Sequence, residues 1–220
     1  MGQLEAVRKN MSESTLSDIT GQIRETMEAV STTREEALRQ CRATIQAASR
    51  TIRALHRGEF SEAEAWLARA RESAEAIGRL RECQPSVYYS GYVHDAQKEY
   101  AEAALVGCLL RDCPYVAPDE LGVEPAAYLN GLAEAGSEGR RYVLDRLRAG
   151  DMAEADRVLG AMDEIYYELI ACDFADAVTG GLRRTTDAYR AVLERTRGDL
   201  VVSAQQQALQ DALKRYGGEH

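Results

Sequence analysis

The sequence has little proline, little lysine and no long apolar run. Its 220 residues include four prolines, the first of them at Pro85, so long uninterrupted helices are possible before that point. The longest apolar runs, such as residues 103–110, are far shorter than the roughly 20 residues that a membrane-spanning helix needs. The start of the chain also lacks a basic stretch followed by an apolar one, the pattern of a secretory signal. We therefore expect a cytoplasmic protein with no membrane partner.

Several patterns of cofactor binding and catalysis are also absent. The five cysteines form no CxxC pair, which argues against a disulfide framework and a zinc site and favours reduced thiols in the core. None of the three histidines has a glutamate three residues before it, so the Glu-x-x-His motif of di-iron bundles is missing. The sequence contains no P-loop, no dinucleotide fingerprint and no G-x-S-x-G nucleophile motif.

The charge balance leaves the partner open. A formal net charge of -9 has the wrong sign for a generic nucleic-acid binder, whose affinity comes largely from neutralising phosphates. Lysine occurs only at Lys9, Lys98 and Lys214, so nearly all cations are arginines, which pair bidentately with phosphate and stack on bases.

Apolar residues recur with a period near 3.6 along almost the whole chain, and no segment alternates convincingly with period two. This pattern predicts a single all-α domain, a bundle of about seven helices. The predicted helices carry the apolar stripes Leu16–Val30, Ala37–Leu55, Trp66–Leu80, Tyr88–Arg111, Glu124–Arg148, Val158–Phe174 and Leu182–Leu200.

Local signals set the predicted helix ends. Ser31-Thr32-Thr33 before two glutamates predicts a helix start there, and Ser61-x-x-Glu64 and Asp151-x-x-Glu154 predict two more. Gly58, Gly150 and the Gly180-Gly181 pair predict helix ends. We expect residues 1–13 to be a flexible N-terminus, residues 14–200 to form the helical domain, and residues 201–220 to be a polar, partly helical extension.

Two glutamates interrupt the apolar face of the fourth predicted helix. Glu99 lies in the stripe that includes Ala96, Ala103 and Val106, and Glu102 lies beside it. Carboxylates at such positions are costly unless they are neutralised, hydrogen-bonded or bound to a metal.

The fifth predicted helix carries a second pair, Glu134 and Glu138, whose spacing places both on one side of the helix. Small residues around them, at positions 131, 135, 136 and 139, would let another helix approach closely. Four carboxylates from two helices would suit Mg²⁺ or Mn²⁺, which prefer oxygen ligands. A solvated glutamate face is the ordinary alternative.

Four segments of the sequence resemble motifs of one family. Residues 97–103, QKEYAEA, resemble the Q-E-Y-V-E-A motif of translin-associated factor X, and residues 128–138 resemble its Y-L-x-G-V-A-D-L-x-x-E block. Residues 174–187 and 195–199 resemble the segments that enter and close the last helix. From about residue 33 to residue 200, the order and spacing of these motifs resemble the translin family, and factor X most.

The resemblance implies a translin-like helical fold that assembles into a hollow homo-oligomer, commonly an octamer, enclosing RNA. It also implies a magnesium-dependent endoribonuclease site, whose four acids correspond to Glu99, Glu102, Glu134 and Glu138. The third acid is often Asp in the family and is Glu134 here. The length of the chain and the lack of a nuclear-localisation cluster fit a prokaryotic, archaeal version.

Basic residues near these motifs are candidate RNA contacts: Lys98, Arg140, Arg141, Arg183 and Arg184. Tyr88 and Tyr89 would either stack on bases or pack in the core. Two other functions stay open at this point. One is a non-catalytic translin-like protein that binds RNA or single-stranded DNA, and the other is a helical scaffold whose acids are merely solvated.

Overall fold

Long helices make up most of the chain in the computed structural model, which describes residues 15–217. The long helices are α1 (Leu16–His56), α2 (Phe60–Gly78), α5 (Gly91–Arg111), α7 (Pro125–Ala149), α8 (Met152–Ala171) and α10 (Leu182–Gly217). Four one-turn helices connect them: α3 (Leu80–Cys83), α4 (Pro85–Tyr88), α6 (Pro118–Leu121) and α9 (Asp176–Thr179). Within the described residues there is no strand, so the all-α prediction is confirmed.

Helix α5 lies at the centre of the bundle. Every residue from Tyr100 to Leu110 is buried, on all sides of the helix. Helices α1 and α2 form a hairpin that packs against α5, and α7 packs against α5 and pairs with α8. Helix α10 then packs against both α7 and α8. Any polar side chain on α5 in this interval must therefore find its partners inside the protein.

Several predicted helix ends are confirmed. Asp151 accepts a hydrogen bond from the Glu154 backbone N–H at the start of α8, as its capping pattern predicts. Gly150 follows α7 with a φ of 78°, in the left-handed region that glycine enters without a steric cost. The segment between α5 and α7 is loop with a single short turn, as its prolines indicate.

The predicted boundary at Ser31 is wrong, because α1 continues through it without a break. The hydroxyls of Thr32 and Thr33 donate to the backbone carbonyls of Glu28 and Ala29, one turn back in the same helix. A threonine hydroxyl bonded in this way is compatible with a helix interior, so the residues that resembled a cap do not act as one. The first two predicted helices are therefore one helix of 41 residues.

Two further details differ from the prediction. Helix α2 begins at Phe60 after Glu59, with no side-chain cap, so Ser61 lies inside the helix. Helix α8 ends at Ala171, and Phe174 lies beyond it with 66% of its surface exposed. Phe174 has the spacing of the apolar stripe of α8, but this spacing does not show where the backbone leaves the helix.

The first part of α1 extends beyond the packed body of the protein. Ala37 is its first buried residue, and the apolar stripe before it is solvent-exposed at Leu16, Ile19, Ile23 and Met27. The predicted flexible segment at residues 1–13 lies outside the described residues. Between residues 15 and 217, no helix combines the length and the apolar character needed to cross a bilayer.

Candidate metal centre

Helices α5 and α7 come into close contact at Gly131, next to the predicted acids. A Cβ atom at Gly131 would lie 2.7 Å from the Lys98 carbonyl oxygen and 3.0 Å from the Glu102 backbone nitrogen. Only a residue without a side chain permits this approach of two backbones. Gly136 and Gly139 play the same part further along α7, against the side chains of Tyr189 and of Leu109 and Met162. The expectation that small residues on this helix allow close packing is confirmed.

The close approach brings three of the four predicted acids together. Glu99 and Glu102 from α5 and Glu134 from α7 each offer one carboxylate oxygen, and these oxygens lie within 4.8 Å of one another. Glu102 is buried, with 8% of its surface exposed, whereas Glu99 and Glu134 are partly open to solvent. We call these three residues the carboxylate cluster.

Lys98 is paired with the carboxylate cluster rather than free for RNA. Its Nζ donates to Glu134 Oε1 at 2.7 Å and lies 3.5 Å from Glu99 Oε1. Burial lowers the pKa of Lys98, but the hydrogen bond to Glu134 and the charges of the cluster outweigh burial and raise it above the usual value. Lys98 is therefore charged at neutral pH and neutralises part of the cluster.

Glu102 is the carboxyl group most perturbed by its surroundings. Burial is the main cause, and the charges of Glu134, Glu99 and Glu138 add to it, so the pKa of Glu102 rises to about 8. The pKa of Glu99 is also raised, mainly by burial. An all-oxygen donor set with too little positive charge nearby fits a hard divalent cation, because such an ion would stabilise all three ionised carboxylates.

Glu138 stands apart from the other three acids. Its Oε2 lies 2.7 Å from Nε2 of His56, a residue at the C-terminal end of α1 whose side chain is 1% exposed. The other ring nitrogen, Nδ1, is buried and has no hydrogen-bond partner among the described residues. Because Nε2 faces a carboxylate, we place the ring proton on Nε2, which donates a hydrogen bond to Glu138. This hydrogen bond lowers the pKa of Glu138, although burial acts in the opposite direction. One carboxylate oxygen of Glu138 is thereby fixed.

His56 was not among the predicted site residues. It follows Ile52 by four residues, beside the apolar stripe of α1, and such a position favours a buried ring. Nothing in the sequence indicated its partner, which lies 82 residues away on another helix.

A groove of about 460 Å³ opens beside Glu138, between α7 and α10. Arg141 is exposed at this groove, and Arg183 and Arg184 are exposed at the start of α10. Among residues 15–217 these three arginines form no ion pair. Arg140 differs from them, because it pairs with Asp199 at 2.8 Å and donates to Thr196, which joins α7 to α10.

The two tyrosines at the end of α4 have different surroundings. Tyr88 is buried, donates to Glu124 at 2.8 Å and accepts from Gln97 at 3.1 Å, so it packs in the core and does not face a nucleic acid. Tyr89 is 62% exposed and packs edge-on against Tyr88.

Comparison with known proteins identifies the family. The chain is 30% identical over 183 residues to an uncharacterised protein of Methanocaldococcus jannaschii, across 83% of this chain and 81% of that one. It also matches the crystal structure of AfC3PO and the structure of AfC3PO with duplex RNA, with 32% and 33% identity and a TM-score of 0.80 for both. Each match covers 86% of this chain and 98% of the other. The chain belongs to the translin family.

A more distant member of the translin family has the same fold. Apo-NeC3PO matches with a TM-score of 0.77 at 18% identity, over 86% of this chain and 99% of that one, which shows the fold alone. No family model matches the chain. The prediction of a translin-family protein from the motifs at residues 97–103 and 128–138 is thus confirmed.

Proposed function

We propose that this translin-family protein is a metal-dependent endoribonuclease that cleaves single-stranded RNA, or RNA with single-stranded regions. The observation that carries this proposal is the convergence of Glu99, Glu102 and Glu134 from two helices, with Glu102 buried. Three carboxylates this close together, one of them buried, are costly without compensating positive charge, and the single ammonium group of Lys98 is paired with only two of them.

In this proposal Glu99, Glu102 and Glu134 hold Mg²⁺ or Mn²⁺, and Glu138 completes the acidic set. A bound divalent ion would supply positive charge beside a scissile phosphate and lower the pKa of a water molecule. The His56 hydrogen bond holds one oxygen of Glu138 and leaves the other free to act on water or substrate. Glu134 reaches the cluster with the longer side chain of Glu, so the change from the family's Asp does not remove this ligand.

RNA as the substrate is supported by the relatives and by the exposed arginines. AfC3PO, 33% identical to this chain, has been solved with duplex RNA. Arg141, Arg183 and Arg184 are unpaired within the described residues and provide guanidinium groups for phosphate contacts, while Arg140 holds α7 against α10. We assign the phosphate contacts to the first three, in a chain whose formal net charge is -9.

We further propose that the protein works in the cytoplasm as a hollow homo-oligomer, an octamer in the simplest case. The exposed apolar stripe on the projecting part of α1 provides a surface for such assembly. Enclosure would bring the arginines and acids of several subunits around one RNA molecule.

The test is a cleavage assay with labelled single-stranded RNA, with and without Mg²⁺, on the wild type and on Glu102→Ala and Glu138→Ala. We expect metal-dependent cleavage by the wild type and a loss of at least about a hundredfold in each variant, while light scattering shows an unchanged oligomer. Intact RNA with wild type and Mg²⁺ would contradict the proposal. If that RNA were bound in a salt-sensitive way, the protein would instead be a non-catalytic binder of RNA or single-stranded DNA.

A further inference from the structure

The ammonium group of Lys98 lies against two members of the carboxylate cluster. Its ammonium group contacts Glu134 Oε1 at 2.7 Å and lies 3.5 Å from Glu99 Oε1, and four-fifths of its side chain is buried. These two oxygens belong to two of the three residues that would hold a divalent ion. A lysine ammonium is a compact point charge, so it resembles a metal ion more closely than a guanidinium does.

A divalent ion that used the side of Glu134 Oε1 now bonded to Lys98 would compete with the ammonium group for this oxygen. Binding in that way would break the hydrogen bond between Lys98 and Glu134 and would place two positive charges close together. The backbone of Lys98 cannot move aside, because its carbonyl oxygen is packed against Gly131 of α7. The four-carbon side chain is flexible, however, and can turn towards solvent without any change in the helices.

We propose that Lys98 is a built-in competitor for the divalent cation, and that its ammonium group sets the metal affinity of the cluster by having to leave when the ion binds. This role rests on the proposed function, because it concerns the same metal site. It gives the metal-free protein an internal counter-ion, which limits repulsion among the carboxylates. It also means that the metal-bound protein presents a free lysine next to the acids.

The experiment measures Mn²⁺ binding directly, by calorimetry and by the loss of the sharp electron paramagnetic resonance signal of free Mn²⁺. The proteins are the full-length wild type and Lys98→Gln, with Lys214→Gln as the matched control, because Lys214 is an exposed residue on the last turns of α10. Calorimetry is repeated in two buffers with different heats of ionisation, so that protons released from the acids are counted separately from the metal. Circular dichroism establishes that each variant is folded.

We expect Lys98→Gln to bind Mn²⁺ about ten- to a hundredfold more tightly than the wild type, the range for loss of one competing charge-assisted hydrogen bond. Lys214→Gln should bind like the wild type. A Lys98→Met variant, which removes the charge but keeps a long flexible side chain, should tighten Mn²⁺ binding by a similar factor, and it tests the proposal if Lys98→Gln does not fold.

The other outcomes separate this role from the proposed function. Equal or weaker Mn²⁺ binding by Lys98→Gln, with binding by the wild type intact, would overturn the competitor role and leave the metal site standing. A gain in affinity as large in Lys214→Gln would also overturn it, because the effect would then come from net charge alone. If none of the proteins bound Mn²⁺, the proposed function and the role of Lys98 would fail together.

Discussion

At Glu102 the folded protein surrounds a carboxyl group with two helices and two further acids, and its pKa rises to about 8. An unfolded chain would titrate this group near its ordinary value of about 4.3. The folded state binds the proton of Glu102 more tightly than the unfolded state does. The stability that Glu102 contributes is therefore fully present below about pH 4.3 and is lost as the pH rises from there through about 8. The metal-free protein should therefore become less stable across this range.

Urea unfolding from pH 5 to pH 8.5 without metal should show this loss in the wild type and a smaller loss in Glu102→Gln. At the upper end we expect the variant to have the greater free energy of unfolding, by about 1–3 kcal/mol, the cost of an unsatisfied buried polar group. Some pH dependence should remain, because the pKa of Glu99 is raised as well. Mg²⁺ should restore stability at high pH in the wild type alone, and parallel curves for the two proteins would contradict this account.

The sequence allowed the individual acids to be predicted but not the pairing among them. Glu99 and Glu102 stood out because they interrupt an apolar stripe, which is a local property. The contact of Lys98 with Glu134 and that of His56 with Glu138 join residues 36 and 82 positions apart, and they depend on how three helices pack. Periodicity along one helix contains no information about such contacts.

At the scale of helices, the site depends on how closely α5 and α7 approach at Gly131. We expect Gly131→Ala to push the two helices apart, because the added Cβ would meet backbone atoms of α5, which cannot rotate away. Thermal or urea unfolding should show a loss of about 1–3 kcal/mol, and Mn²⁺ binding to the carboxylate cluster should weaken at least about tenfold.

Gly160→Ala is the matched control for that substitution. Gly160 is exposed on α8, and a Cβ at this position would meet no atom within 4 Å. Alanine is the better helix former, so this variant should be more stable by up to about 1 kcal/mol and should bind Mn²⁺ like the wild type. Equal effects of the two substitutions would mean that the close approach at Gly131 does not matter to the site.

The helix boundaries show which local signals are reliable. Gly150 and Asp151 act as their residue types predict. Gly150 adopts the left-handed conformation that ends α7, and Asp151 accepts a hydrogen bond from a free backbone N–H at the start of α8. Thr32 and Thr33 have the composition of a cap, but their hydroxyls bond within α1 and the helix continues. A cap signature predicts a helix end only where the backbone also turns, and the surrounding packing decides that.

At the scale of the whole molecule, the exposed stripe of α1 is the clearest surface for assembly. Substituting both Ile23 and Met27 by Glu should convert the proposed oligomer into smaller species, because two charges would have to be buried in the interface. Size-exclusion chromatography with light scattering measures the mass. We expect the change to occur without loss of helix content, since both side chains are exposed in the single chain.

Gln22→Glu with Thr26→Glu is the control, because it adds the same two charges with the same spacing on a neighbouring face of α1. The control protein should keep the mass of the wild type. If both double variants dissociated, the general negative charge of the chain would be the cause, and if neither did, the stripe would not be an assembly surface.

Helix α1 also connects two ends of the molecule mechanically. It runs for 41 residues, about 60 Å, with the exposed stripe near its start and His56 as its last residue. No proline interrupts it, and the helix is continuous between those points. A neighbouring subunit that bound the free end of α1 would therefore also restrain the helix that carries His56, the partner of Glu138. Assembly and the proposed catalysis would then be coupled through one continuous helix.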